Sequence, residues 1–248
     1  MILKVIGTGS KGNCYLLEND NEALIIECGV NITAIKQSLD FNITKVVGCI
    51  VTHEHMDHAK SIKDLTKSGI NVHATKETFD ALKIESGYNK RAKPFNQKDT
   101  FKIGGFKIMS FDVKHDAAAP VGFLINHNET GNVLFLTDSF YCGYTFKNLN
   151  NIIIEANYSK KIIDAKVASG TSPEFLRNRI LKSHMSLETC ISTLKANDLS
   201  AVNNIVLIHL SDSNSNEVEF EKEVSQATGK TVTVANNGIS LNFNKTPF

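Results

Sequence analysis

The stretch VTHEHMDH at 51–58 constrains this chain more than any other, because three histidines and an aspartate follow directly on the apolar run VVGCIV. Such a run reads as a buried strand. A helix starting near Asp57 then leaves His53, Glu54, His55, Met56, Asp57 and His58 on the turn between the two elements. His53 and His55 are two residues apart, so in extended backbone they project to the same side and can ligate one ion. Asp57 and His58, on the following turn, face a second. Imidazole and carboxylate together suit zinc first, with manganese or iron where carboxylates contribute.

Each ion needs further ligands, and strand ends later in the chain supply candidates. His115 closes FDVKH, Asp138 closes VLFLTD and His209 closes IVLIH, each after at least four strand-like residues. A sheet would present all three on one rim. Apolar strand-like stretches recur from ILKVIG to ISLNF, with FKIGGFKIMSFDV among them, and helical periodicity separates several of them. DHAKSIKDLTKSG, KETFDALKIESG, SPEFLRNRILKS and SLETCISTLKAND each read as a helix, with Ser68-Gly69 as a stop signal and Ser186 as a cap. Continuous apolar strands imply sheets covered by helices. Two mixed sheets packed together with helices outside, an α/β sandwich, is the expected architecture.

No composition shift marks a linker in the 248 residues, so residues 1–248 read as a single domain. The net charge of +1 gives no chain-wide basic field for gripping long nucleic acids. The five cysteines are odd in number and never form CxxC, which suits reduced, buried thiols and a cytoplasmic setting. No apolar run reaches membrane-spanning length, so no membrane partner is expected. GTGSKGN at 7–13 lacks the Gly-Lys-Ser/Thr ending of a phosphate-binding loop and precedes a strand. It is either a tight connection or a wall of the site.

HEHMDH followed by His115, Asp138 and His209 resembles the metallo-β-lactamase superfamily over essentially the whole chain. The resemblance implies that family's αββα sandwich and a pair of zinc ions, with manganese as the substitute. It assigns His53, His55 and His115 to one ion and Asp57, His58 and His209 to the other, with Asp138 bridging. IIECG departs from the pattern, placing Glu27 where the family usually shows aspartate. Two dications set against Asp57, Asp138 and one hydroxide leave roughly one net positive charge, complementary to a phosphodiester monoanion. Thioester hydrolases use the same ligands.

IIIEANY and SHMSLET resemble the glutamate and histidine motifs of the ribonuclease Z branch, which implies Glu155 orienting His184 as the proton donor to a leaving alkoxide. Asp57 counts among the catalytic residues as well as the ligands. LIHLSDSNS resembles the same branch, where Ser211 either touches phosphate or forms a turn. A ribonuclease Z-like nuclease is one alternative, weakened because no Gly/Pro-rich arm for gripping tRNA is found. HEHMDH, VKHDAAAPVGF and IHLS resemble YycJ-type exonucleases, so DNA-end cleavage stays an alternative, as does a non-catalytic nucleotide sink. GTGSKGNCYLLEN, ALIIECGV, FKNLNNIIIEANYS, SHMSLETCISTLKAND and HLSDSNS resemble, in order, the phage anti-Pycsar proteins. That likeness implies a homodimer that opens 3′,5′-cyclic CMP and UMP, with cyclic AMP and GMP beside them, to linear monophosphates. It would act in the host cytoplasm against Pycsar-type signalling. Residues 116–120, DAAAP, would then contact the base, and nucleic acid would be a partner only under the exonuclease alternative. The cations Lys160, Lys161, Lys166, Arg177, Arg179 and Lys182 are either a solvated face or lid, or a strand-binding patch.

Overall fold

In the computed structural model, residues 1–85 and 89–247 are described. The N-terminal half runs β1 (Ile2–Gly7), β2 (Cys14–Glu18), β3 (Ala23–Ile26), α1 (Ile32–Ser38), β4 (Val46–Ile50), α2 (Met56–Ala59), α3 (Ile62–Lys67), β5 (Val72–Thr75), α4 (Lys76–Ala81) and β6 (Ala92–Phe95). The C-terminal half continues with β7 (Thr100–Ile103), β8 (Phe106–Asp112), β9 (Val121–His127), β10 (Gly131–Leu136), β11 (Leu149–Glu155), α5 (Lys160–Ala168), α6 (Glu174–Ser183), α7 (Leu187–Lys195), β12 (Asn204–Ile208), α8 (Glu217–Thr228), β13 (Val232–Val234) and β14 (Ser240–Asn242). The strands form two mixed sheets, ordered β14-β1-β2-β3-β4-β5-β6 and β13-β12-β11-β10-β9-β8-β7.

Alternate residues of a strand face opposite ways, and here both faces are dry. In β3, Leu24 and Ile26 join a core between the sheets that includes Phe106, Phe123, Phe135 and Ile153, while Ala23 and Ile25 join an outer layer with Ile35, Leu65 and Phe79. In β11, Ile153 points inward and Ile152 and Ile154 pack outward with Cys190, Leu194 and Phe220 of α7 and α8. The layers are therefore helix, sheet, sheet, helix, as the apolar runs implied.

Three local expectations are corrected. FKIGGFKIMSFDV is two strands, because Gly104, at φ 55°, and Gly105 turn the chain into the β7–β8 hairpin. DHAKSIKDLTKSG is two short helices, α2 and α3, rather than one. The helix read over KETFDALKIESG ends at Ala81, and its last residues, Ser86 and Gly87, lie outside the described residues. Two strands and one helix had no sequence signal: β5 and β6 are four residues each, and β6 carries Pro94, tolerated because it is an edge strand. α5 lies inside the basic segment.

The caps follow expectation. Ser186 Oγ accepts the Thr189 N–H at the start of α7, and Gly69, at φ 86°, follows α3. Gly29 is dictated by packing: a Cβ there would lie 1.7 Å from the carbonyl oxygen of Asp57, so only glycine lets the loop after β3 support α2.

Candidate metal centre

The loops at one rim of the two sheets bring seven strand- or helix-flanking groups together. His53, His55, Asp57 and His58 come from the β4–α2 turn, His115 follows β8, Asp138 follows β10, and His209 follows β12. Asp138 and His209 sit at left-handed φ values of 45° and 56°, as does Glu27 at 63° after β3. Non-glycine residues avoid this region, and here it turns the chain sharply off the strand while aiming the side chain across the rim.

Two sets of donor atoms converge. Nδ1 of His55 lies 3.1 Å from Nε2 of His53 and 3.1 Å from Nε2 of His115. Asp138 Oδ2 lies 3.7 Å from His53 Nε2 and 3.4 Å from His115 Nε2. On the other side, Asp57 Oδ2 is 3.5 Å from His58 Nε2 and 3.4 Å from His209 Nε2. Asp138 serves this set too, with Oδ2 3.4 Å from His58 Nε2 and Oδ1 3.7 Å from His209 Nε2. Tetrahedral bonds of about 2.1 Å require ligand atoms about 3.4 Å apart, so both sets fit a zinc-sized ion. Nitrogen and carboxylate donors without sulfur also suit manganese. His53, His55, His115 and Asp138 form one group able to hold an ion, and Asp57, His58 and His209 form another. A third grouping, Asp138, Glu155, His184 and His209, also falls within reach, but Glu155 is already engaged by two backbone N–H groups and His184.

The reverse faces of four of these imidazoles meet protein groups. His115 Nδ1 donates to the Ser183 carbonyl at 2.9 Å, an acceptor that fixes the tautomer and leaves Nε2 bare for the centre. His53 Nδ1 meets Thr52 Oγ1 at 2.9 Å, and His209 Nδ1 lies 3.3 Å from Glu155 Oε1 and 3.1 Å from Asn157 Nδ2. His58 Nδ1 faces Glu27 Oε1 at 3.5 Å. Glu27 therefore stands behind a ligand despite its extra methylene, with the fully buried carboxyl also reached by the Thr52 N–H at 3.4 Å.

The carboxylates set a field that attracts cations. Burial alone would raise Asp138, but the charges of His209 and His58 outweigh it and hold its carboxyl well below the usual range. Burial likewise opposes ionisation of Asp57, and hydrogen bonds with His209 and His58 reverse the effect and lower it. Burial would depress His209, yet Asp138 and its neighbours Asp57 and Glu155 push it up to about 10. His53 goes the other way, driven well down by burial and by His58. Carboxylates that pull protons onto His58 and His209 this strongly suit the site to divalent cations, which supply the same charge.

Beside the centre, Glu155 ends β11 and contacts His184 Nδ1 at 2.8 Å; its other oxygen accepts the N–H groups of Ser139 and Met185 at 3.2 Å. Burial would lower His184, but Glu155 outweighs it and raises its affinity for a proton. A cleft of about 370 Å³ opens over these groups, lined among others by Ser10, Asp57, Asp116, Asp138, Arg179 and His184. GTGSKGN is both a connection and a wall: Ser10 lines the cleft, and Asn13 Nδ2 lies 3.3 Å from the Asp57 carbonyl. Ser211 forms a turn, its Oγ accepting the Asn214 N–H, and does not line the cleft. Of DAAAP, Asp116 lines the cleft, while the Ala118 N–H is tied to Glu54 Oε1 at 2.7 Å. Asn157, Ser183 and Thr52 were not anticipated, since small polar residues behind a ligand carry no spacing signature.

Residues 7–146 match the model of the metallo-beta-lactamase superfamily. The exodeoxyribonuclease YycJ of Bacillus anthracis is 29% identical over 238 residues, covering 90% of this chain and 87% of that protein. Among solved structures, the metallo-beta-lactamase fold protein YhfI from Bacillus subtilis superposes with a TM-score of 0.73 at 16% identity, covering 97% of this chain and 98% of that one. The short form of human tRNase Z gives 0.66 at 14% identity, covering 98% and 99%. At these identities the two structures speak to the fold alone. No helix among the described residues is long and apolar enough to cross a membrane.

Proposed function

The chain belongs to the metallo-beta-lactamase superfamily, and from that premise we propose that it is a two-metal phosphodiesterase that opens 3′,5′-cyclic mononucleotides to linear monophosphates. The observation that carries this reading is the pairing of a two-ion donor set with the Glu155–His184 dyad in one small cleft. His53, His55 and His115 would hold one zinc or manganese ion, Asp57, His58 and His209 the other, and Asp138 both. When bound, such a pair polarises the phosphoryl group and generates a nucleophile from water at neutral pH. His184, held by Glu155, donates a proton to the departing ribose oxygen. Ser10 and Asp116 bound the space in which the phosphate sits.

The cleft volume favours a small substrate. About 370 Å³ stands near the lower end for ligand pockets, which run from roughly 300 to 1,000 Å³. Of the residues lining it, only Arg179 carries a fixed positive side chain, little for a polyanion to grip. On this reading the protein takes a free nucleotide in a cytoplasm, and the anti-Pycsar activity and the homodimer that the sequence resemblance implies belong to the same proposal.

A second reading, DNA-end cleavage, is favoured by the likeness to YycJ over 90% of the chain. One panel separates the two. Metal-loaded protein is offered cyclic CMP, cyclic UMP, cyclic AMP, cyclic GMP, single-stranded DNA and a precursor tRNA, and products are followed by chromatography. Turnover of the cyclic nucleotides at enzyme levels that leave DNA intact supports the proposal; release of mononucleotides from DNA alone overturns it in favour of the exonuclease.

A further inference from the structure

The α5–α6 pair above the cleft is thinly packed: Ile163 is the buried residue of α5 and Ser183 that of α6. Two of its basic side chains are engaged away from the cleft. Lys166 bonds to the Ser213 carbonyl and Asn214, and Arg177 pairs with Asp164 at 2.5 Å, which braces α6 against α5. Arg179 makes no ion pair among the described residues, and it lines the cleft together with Ser183 and His184. Three carboxylates, those of Asp57, Asp116 and Asp138, line the same cleft. An arginine kept free of these acids, on a cleft otherwise built from acids and imidazoles, complements an anion that the carboxylates alone would repel.

Phe175 lies one turn before Arg179 on α6. Positions four apart share a helix face, so the stripe that enters the cleft at Ser183 and Arg179 continues outward through Phe175, about 6 Å further along the axis. Phe175 is 74% exposed. A large aromatic left in water one helical turn beyond a guanidinium that lines the cleft offers, with it, the two surfaces a nucleotide needs: a donor fork for phosphate and a flat face for a base.

We propose that α6 is the nucleoside-binding wall of the cleft, with Arg179 taking a phosphate oxygen of the substrate and Phe175 stacking its base. This rests on the nucleotide phosphodiesterase reading. Phe175→Ala and Arg179→Ala are compared with the wild type on cyclic CMP and on methyl riboside 3′,5′-cyclic phosphate, which has no base. Phe175→Ala raises KM for cyclic CMP about tenfold and leaves KM for the base-free ester unchanged. Arg179→Ala raises KM for both by about tenfold to a hundredfold, with kcat largely retained because the contact is made equally in ground and transition states. Isothermal titration with CMP, the ring-opened product, weakens in parallel in both variants. A wild type that turns over none of the phosphodiesters in the panel sinks the enzymatic reading itself. An active wild type whose Phe175→Ala and Arg179→Ala variants keep its KM and CMP affinity overturns the α6 wall alone. So does a Phe175→Ala variant that changes only the elution volume on size-exclusion chromatography, which would make Phe175 a self-association contact.

Discussion

Nδ1 of His184 lies 2.8 Å from Oε1 of Glu155, while the second oxygen of that carboxylate is fixed by the N–H groups of Ser139 and Met185. The carboxylate cannot swing away, so the imidazole is presented to the cleft in one orientation. If His184 protonates a leaving alkoxide, its loss matters only when the leaving group needs a proton. His184→Ala should slow opening of cyclic CMP by roughly 10²–10⁴. It should slow cleavage of bis(4-nitrophenyl) phosphate far less, because nitrophenolate departs unaided. Equal losses on both substrates in steady-state assays would assign His184 to binding or structure instead.

Glu27 backs His58 at 3.5 Å across the β3 loop, and nothing else in the described structure fills that role. Removing the group behind a ligand typically weakens metal affinity about 10- to 100-fold. Glu27→Ala should therefore lose metal from the Asp57, His58 and His209 side during titration with a chelator, while retaining its far-ultraviolet circular dichroism. Unchanged metal affinity would show that His58 is oriented by other contacts.

His73, on β5, is stacked on Phe101 with ring centroids 5.5 Å apart, and burial, with Lys93 beside it, pushes its pKa down to about 4. The unfolded chain takes up this proton near 6.5 and the native one only near 4. Between those values the unfolded state binds more protons, so stability falls as pH drops from about 6.5 toward about 4. Urea titrations at several pH values should show a shallower decline across this window in His73→Gln than in the wild type. An identical decline would remove His73 as a cause.

His115, Asp138 and His209 were legible because each ends an apolar strand, and strands in a sheet end on a shared rim. The left-handed backbone at Asp138 and His209 was not, since φ depends on the turn that follows and neither residue advertises it. The groups behind the ligands escaped for another reason. Ser183 meets His115, and Asn157 meets His209, across 68 and 52 residues of sequence. β5 and β6 were missed because VHAT and AKPF are short and half polar, and their strand character comes from pairing, β5 with β4 and β6 with β5, rather than from their own side chains. The free state of Arg179 became visible only once α5 and α6 showed which neighbouring cations were already bonded.

The central claim is that seven side chains gather two ions. Anomalous diffraction from crystals grown with zinc or manganese tests it most directly. The account predicts two peaks per chain, one bonded to His53, His55 and His115, the other to Asp57, His58 and His209, and both within reach of Asp138. A single peak, or ions bound away from these residues, would contradict it.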